Sequence, residues 1–269
     1  MNHYALIGEK LGHSFSPEIH NIIFKYTDMQ GDYTCVEIPK ESVKQDVKNL
    51  FREYHGINVT IPYKKEIVPI LDALDTVSLD IGAVNTIKIE KGSTKGYNTD
   101  YYGFGATLDY YHVDIQDKKA VILGTGGASK AVYYYLIQHG IGEIIFVNRR
   151  KETHWAKECP IYTYDEVHQL SGDLVVNCTP MGMGELAGYS PLSKDVRKNF
   201  KTTFDLVYNP KETLLLKWSR EQGSQSINGL FMLVAQAVRA QEIWNDKTID
   251  PLIIEKIYHQ VYNQLYVLV

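Results

Sequence analysis

The stretch Lys119 to Arg150, KAVILGTGGASKAVYYYLIQHGIGEIIFVNRR, constrains the fold more than any other part of the chain. An apolar run, Ala120 to Leu123, meets Gly124-Thr125-Gly126-Gly127-Ala128. A helical segment follows, then a glycine-bounded break and a second apolar run, Ile144 to Val147. This order predicts a strand, a tight turn, a helix and a parallel strand. Glycines at such a turn let the backbone bend sharply and approach a pyrophosphate closely, while free N–H groups and the dipole at the helix start attract its charge.

A glycine turn alone also fits an ordinary α/β sheet, and Ser129 stands here where the third position of the GxGxxG pattern usually has Gly or Ala. Two features favour a dinucleotide. The strand–turn–helix–strand context is the one the motif requires, and the second strand ends at Asn148-Arg149-Arg150, where an NAD site would place an acidic side chain. A carboxylate at that point accepts from a ribose 2′-hydroxyl, whereas a guanidinium pairs with a 2′-phosphate. The expected cofactor is therefore NADP. One charge-assisted hydrogen bond contributes about 1.5 to 3 kcal/mol, a preference of roughly tenfold to hundredfold. The alternative is a pair of solvated surface arginines.

At 269 residues the chain is long enough for two domains, and its apolar and charged fractions, 44% and 22%, are those of a soluble globular protein. A formal net charge of −4 with interspersed lysines and acids leaves no basic footprint for nucleic acid. Cys35, Cys159 and Cys178 are odd in number, far apart and without CxxC or Cys/His ligand spacing, so neither a disulfide framework nor a metal site is expected, and a reducing cytoplasm fits. No apolar run approaches membrane-spanning length, and the N-terminus has no signal-peptide pattern.

In chain order, His3 to Gly8 reads as a buried strand, and Ser16-Pro17-Glu18 opens a helix with serine at the N-cap. Asp32 to Ile38 is expected as a strand, Glu41 to Tyr54 as a helix, Gly56 to Thr60 as a strand, and Tyr63 to about Leu74 as another helix. Ala83 to Ile89 and Thr94 to Tyr97 predict a hairpin about Lys91-Gly92. Asn98-Thr99-Asp100 starts a helix reaching about Tyr111. Strands near Leu174 to Asn177 and Thr203 to Leu206 follow the glycine turn, with helices at Glu212 to Gln222, after Gly229, and from Pro251 to Tyr266. Strands alternating with helices predict an α/β fold with a mostly parallel sheet in the first half.

Several short polar islands exceed what such a fold needs. Ser14 and Ser16 sit two apart before a helix, where hydroxyls and unpaired N–H groups can hold a carboxylate. Thr60 and Lys64 flank the end of a strand, the edge where ligands of α/β sheets lie. Lys64 also has an ordinary reading as a solvated first-turn lysine and Asp100 as a capping or first-turn acid, and Asn85, in the apolar run Ile81 to Ile89, is similarly open.

Together the islands resemble the shikimate dehydrogenase family over nearly the whole chain: HSFSPEIHN, NVTIPYK, GAVNT, NTD, GTGGASKA, NRR, NCTPMGM, DLVYNP and GLFMLVAQA. Leu11, Ser129, Lys130 and Pro180 depart from the residues common in the family at those places. The resemblance implies two domains: an N-terminal α/β substrate domain with a mostly parallel sheet, from residues 1–101 and 240–269, and a Rossmann-type NADP-binding domain from residues 102–239. It implies reduction of 3-dehydroshikimate to shikimate with NADPH, on the route to aromatic amino acids. Lys64 and Asp100 would serve the reacting C–O group. Ser14 and Ser16 would hold the substrate carboxylate, and Thr60, Asn85, Tyr208 and Gln236 the ring hydroxyls and flank. Gly124, Thr125, Gly126, Gly127 and Ala128 would cradle the pyrophosphate, with Asn148, Arg149 and Arg150 at the adenosine phosphate. Thr179, Leu206, Gly229 and Met232 would neighbour the nicotinamide and its ribose. The expected partner is a small-molecule substrate, with no nucleic acid or membrane, and the protein a monomer or homodimer. The rival expectations are an NAD-using quinate/shikimate dehydrogenase and a non-catalytic sensor of nucleotide or a small carboxylate.

Overall fold

A computed structural model of the chain describes residues 1–12, 14–151, 155–156 and 158–268, so His13 of the HSFSPEIHN island lies outside the described residues. The chain forms two compact units, one of residues 1–103 with 233–269 and one of residues 104–232, and each builds a six-stranded sheet.

The first unit contains β1 (Asn2–Gly8), α1 (Ser16–Tyr26), β2 (Gly31–Glu37), α2 (Val43–Leu50), β3 (Gly56–Val59), β4 (Ala73–Leu74), α3 (Thr76–Ile81), β5 (Thr86–Glu90) and β6 (Ser93–Tyr97). Its strand order is β2-β1-β3-β5-β6-β4. β1 runs parallel to both β2 and β3, β4 parallel to β6, and the β5–β6 hairpin antiparallel, so the sheet is mixed rather than uniformly parallel. The chain leaves β1 for β2 on one side and returns to β3 on the other. That reversal opens a crevice at the carboxyl ends of β1 and β3.

The helix α4 (Thr99–Tyr110) contains the boundary between the units. The second unit follows with β7 (Lys119–Leu123), α5 (Gly127–Gln138), β8 (Glu143–Asn148), β9 (Ile161–Thr163), β10 (Gly172–Asn177), α6 (Lys194–Arg197), β11 (Phe200–Asp205), α7 (Leu214–Glu221) and β12 (Gln225–Asn228). All its strand pairs are parallel, in the order β12-β11-β10-β7-β8-β9, with the reversal between β7 and β10. Successive side chains of a strand point to opposite faces. Ala120 and Ile122 accordingly join one apolar cluster with Phe146, Val176 and Phe204, while Val121 and Leu123 join another with Val147 and Val175. Both faces are covered, which is why these strands read as unbroken apolar runs.

Two helices close the chain, α8 (Leu230–Asn245) and α9 (Pro251–Tyr266), and α9 packs on α1. Trp244 of α8 donates its indole N–H to the Ile87 carbonyl at 2.9 Å. Its ring lies so close to Gly56 that a Cβ there would stand 2.4 Å from it. No helix among the described residues is long and apolar enough to cross a membrane.

Three local expectations differ from the structure. The helix expected from Tyr63 to Leu74 is instead a series of turns, a three-residue 3-10 helix at Val68–Ile70 and the short strand β4. Pro69 lacks the N–H that an α-helix interior requires and clashes with the preceding turn. Ser16 is not the N-cap of α1: Phe15 occupies that place without a side-chain cap, and Ser16 is the first helical residue. The helix expected over Glu41 to Tyr54 is the shorter α2.

Arg197 is fully buried in the second unit. Its Nη1 donates to the Phe200 carbonyl at 2.8 Å and to Thr203 Oγ1 at 3.1 Å, and its Nη2 to Gln222 Oε1 at 3.1 Å and Ser224 Oγ at 2.6 Å. The guanidinium thus ties α6 to β11 and to the turn before β12. Arg197→Met should lower the unfolding free energy by about 2–4 kcal/mol, because the apolar chain leaves buried acceptors unpaired. Denaturant titration followed by circular dichroism measures this, and an unchanged midpoint would mean the bonds contribute nothing net.

Candidate functional site

The polar residues of the first unit converge on the edge where β1 and β3 end. β5 runs antiparallel to β3, so its start lies at the same edge, and the end of β6 delivers Asn98, Thr99 and Asp100 there. Lys64 follows β3 and reaches Asp100, with Nζ 2.6 Å from Oδ2 and side-chain exposures of 22% and 14%. The other carboxylate oxygen, Oδ1, accepts from Asn85 Nδ2 at 2.9 Å.

The Asn85 amide cannot turn over, because its oxygen is already taken. Asn85 Oδ1 accepts from the Thr99 N–H at 2.7 Å and from Thr86 Oγ1 at 3.2 Å, which leaves the NH2 group facing Asp100 and Thr99 Oγ1. An orientation set by such a network is well determined by the donor and acceptor roles of its neighbours. Asn58 Nδ2 donates to Thr86 Oγ1 at 3.0 Å, and the Tyr33 phenol donates to Asn58 Oδ1 at 2.8 Å. The Ser16 hydroxyl in turn lies against Tyr33, and Ser14 against Cys35. Ser14 Oγ donates to Ser16 Oγ at 3.2 Å, so the two hydroxyls stand together rather than capping α1.

The imidazole of buried His20 stacks on Tyr33 with 3.8 Å between centroids, and burial holds its pKa down to about 3, so it is neutral. Gln236 of α8 meets Thr99 Oγ1 at 3.4 Å. Thr60 sits at the reversal point itself: its N–H donates to the Ile7 carbonyl at 3.0 Å. The structure therefore brings Ser14, Ser16, Asn85, Lys64, Asp100 and Gln236 into one hydrogen-bonded group, with Thr60 at its margin.

In the second unit the glycine turn follows β7 at the other reversal point. Gly124 has φ +94°, a conformation that an L side chain resists, and its N–H donates to the Val147 carbonyl at 2.7 Å. Gly126 is the N-cap of α5 and offers no side-chain bond to the first N–H groups. Those donors need a partner from elsewhere, and the space over Gly126 and Gly127 is open. Ser129 is buried and donates to the Gly126 carbonyl at 2.7 Å, so this departure from the glycine pattern fastens the turn. Asn148, at the end of β8, donates to Thr125 Oγ1 at 3.1 Å.

A cleft of about 760 Å³ opens here, lined among others by Gly124, Thr125, Gly126, Asn148, Arg149 and Thr179. That volume lies within the range of small-molecule sites. Arg149 and Arg150 are both exposed, and Arg149 is the one on the cleft wall. Tyr164, Met181 and Leu186 complete an apolar side that sequence reasoning missed; Tyr164 belongs to no motif and gave no signal.

Below Thr179 lies a buried polar cluster. Asp205 is fully buried at the end of β11, opposite Asn177 of β10, and burial pushes its carboxyl up to about 6 against the pull of its hydrogen-bond donors. Leu206 is half-buried against the core, and Met232 is within it, 7% exposed. Gly229 donates its N–H to the Val207 carbonyl at 3.1 Å. Tyr208 is half-buried, and burial raises its phenol pKa. Together, an anion-ready helix start, an arginine at the next strand end and a cleft of this size fit a phosphorylated dinucleotide.

Comparison with known proteins agrees. Residues 6–87 match the model of the shikimate dehydrogenase substrate binding domain. The shikimate dehydrogenase (NADP(+)) of Clostridium beijerinckii is 40% identical over 262 residues, covering 96% of this chain and 97% of that protein. The crystal structure of shikimate dehydrogenase 1 from Peptoclostridium difficile superposes with a TM-score of 0.90 at 40% identity, covering 99% of this chain and 100% of that one. Shikimate 5-dehydrogenase from Thermus thermophilus, solved in complex with NADP(H) and shikimate, gives a TM-score of 0.87 at 29% identity over 97% and 99% of the two chains. With the fold, the glycine turn and the sequence in agreement along nearly its whole length, the chain belongs to the shikimate dehydrogenase family.

Proposed function

We infer that the protein is an NADP-dependent shikimate dehydrogenase, which reduces 3-dehydroshikimate to shikimate and runs the reverse oxidation. The observation that carries this reading is the Lys64–Asp100 pair, 2.6 Å apart, with the carboxylate held from its other side by Asn85. The unit of residues 1–103 with 233–269, which takes in Gln236 where the sequence places the boundary at 240, carries the Lys64–Asp100 pair that serves the substrate, and the unit of residues 104–232 binds the cofactor.

The nicotinamide, when bound, supplies the hydride. Negative charge then develops on the ketone oxygen, and the Lys64 ammonium both stabilises that charge and donates a proton to it. Asp100 keeps the ammonium in place and accepts from the neighbouring substrate hydroxyl. In the oxidative direction neutral Lys64 takes the hydroxyl proton. Ser14 and Ser16 hold the carboxylate, and Thr60, Asn85, Tyr208 and Gln236 face the ring hydroxyls and flank. Gly124 to Ala128 receive the pyrophosphate, Asn148, Arg149 and Arg150 the adenosine phosphate, and Thr179, Leu206, Gly229 and Met232 border the nicotinamide end.

Mixing the protein with NADPH and 3-dehydroshikimate and following the loss of NADPH absorbance tests the reading directly; no loss above the uncatalysed rate would refute it. A non-catalytic sensor has no use for a lysine and a carboxylate placed this way. Lys64→Ala should lower kcat by roughly a hundredfold to ten-thousandfold with NADPH affinity nearly intact, and a variant keeping more than about a tenth of wild-type kcat would remove Lys64 from the proton-donor role. Asp100→Asn should lower kcat and raise KM for shikimate together; a rise in KM alone would make Asp100 a binding residue only. Arg149→Ala should reduce the preference for NADP over NAD by roughly tenfold to hundredfold, read from kcat/KM with each cofactor. An unchanged ratio would return Arg149 to the solvated surface and reopen the NAD-using quinate/shikimate alternative.

A further inference from the structure

Asp205 carries a carboxylate that the proposed chemistry does not use, in a position where a charged group is costly to bury. Every polar group around it is a donor. Asn177 Nδ2 donates to Oδ1 at 2.9 Å, the Val207 N–H to Oδ1 at 3.1 Å, and Thr213 Oγ1 to Oδ2 at 2.7 Å. The Thr213 hydroxyl points its proton at Asp205, because an ionised carboxylate only accepts, and its oxygen in turn accepts from the Leu216 N–H as the cap of α7, at 3.3 Å.

The bond from Asn177 fixes that amide in turn. With its NH2 on Asp205 and on the Met181 carbonyl, 3.1 Å away, Asn177 presents its oxygen upward to the Thr179 N–H at 3.0 Å and the Thr179 hydroxyl at 2.7 Å. The Thr179 oxygen then accepts from the Met181 N–H at 3.3 Å. Thr179 lines the cleft beside the glycine turn, and a Cβ placed on Gly124 would stand 3.0 Å from its methyl.

We propose that Asp205 is a positioning residue for cofactor binding, acting through the Asn177 amide to set the Thr179–Met181 wall of the cleft. The assignment rests on the reading of that cleft as the NADP site. An ionised acceptor is suited to this role because it rejects the flipped amide: turning Asn177 over would set its oxygen against the carboxylate and its NH2 against the Thr179 N–H.

The experiment measures NADPH dissociation constants by fluorescence, KM for shikimate, and unfolding midpoints, for the wild type, Asp205→Ala, Asn177→Ala, the double variant and Asp205→Asn. Both single alanine variants should weaken NADPH at least about tenfold, the loss expected for one hydrogen bond to a charged group, while KM for shikimate changes less than about twofold. The double variant should bind no more weakly than the worse single one, since the two residues act in series. Asp205→Asn, which can turn its carbonyl oxygen to Asn177 while the Thr213 hydroxyl rotates, should restore affinity to within about threefold. If Asp205→Ala does not fold, Asn177→Ala carries the same expectation. Alanine variants that lose stability but bind NADPH as the wild type does would overturn the proposal, as would additive losses in the double variant. A wild type that does not bind NADPH at all would instead sink the cofactor reading on which the proposal stands.

Discussion

Where neighbouring parallel strands send their connections to opposite sides of a sheet, the departing chains leave a gap that neither covering helix fills. Both sheets of this protein contain such a place, between β1 and β3 in one unit and between β7 and β10 in the other. Each gap leaves strand ends that no helix covers, and polar side chains collect there. Both are resolved in the same manner, with a buried asparagine at or next to a strand end. Asn85 locks its oxygen with Thr99 and Thr86 so that its NH2 faces Asp100; Asn177 locks its NH2 with Asp205 so that its oxygen faces Thr179. A carboxamide has distinct donor and acceptor ends, and each site uses that asymmetry in the opposite sense.

The Lys64–Asp100 pair is not accounted for as a stabilising salt bridge. Two partly buried charges lose hydration, and their mutual attraction repays that loss only in part. Their placement is instead a consequence of the edge. Lys64 comes from the turn after β3, Asp100 from the first turn of α4, and the network behind them restricts the carboxylate to one orientation. Ser14 and Ser16 reach the same network through Tyr33 and Asn58.

How much of this was legible in the sequence depended on the range of the interactions involved. The strands β7 and β8 of the second unit are readable because burial on both faces makes Ala120 to Leu123 and Ile144 to Val147 unbroken apolar runs, and the glycine turn marks its own backbone. The β5–β6 hairpin was readable from Lys91-Gly92. The segment after Tyr63 departs from the expected helix because Pro69 falls inside it, and Ser16, which as a serine before proline resembles a cap, is instead the first helical residue. Short strands such as β4, β9 and β12 have too few residues to show a period. Tyr33, Tyr164 and Asp205 were out of reach for a different reason. Their roles come from partners distant in the chain or brought alongside by sheet register, which spacing along one sequence does not encode.

The seating of Trp244 on Gly56 joins two positions 188 residues apart into a single steric unit. Any side chain at the start of β3 would displace the indole and with it the bond to Ile87, while a smaller residue on α8 would leave a hollow over the sheet. Related sequences should accordingly record the two sites as a correlated pair: glycine accompanying tryptophan, and larger residues at the first appearing only in lineages that have already shed the bulky ring at the second.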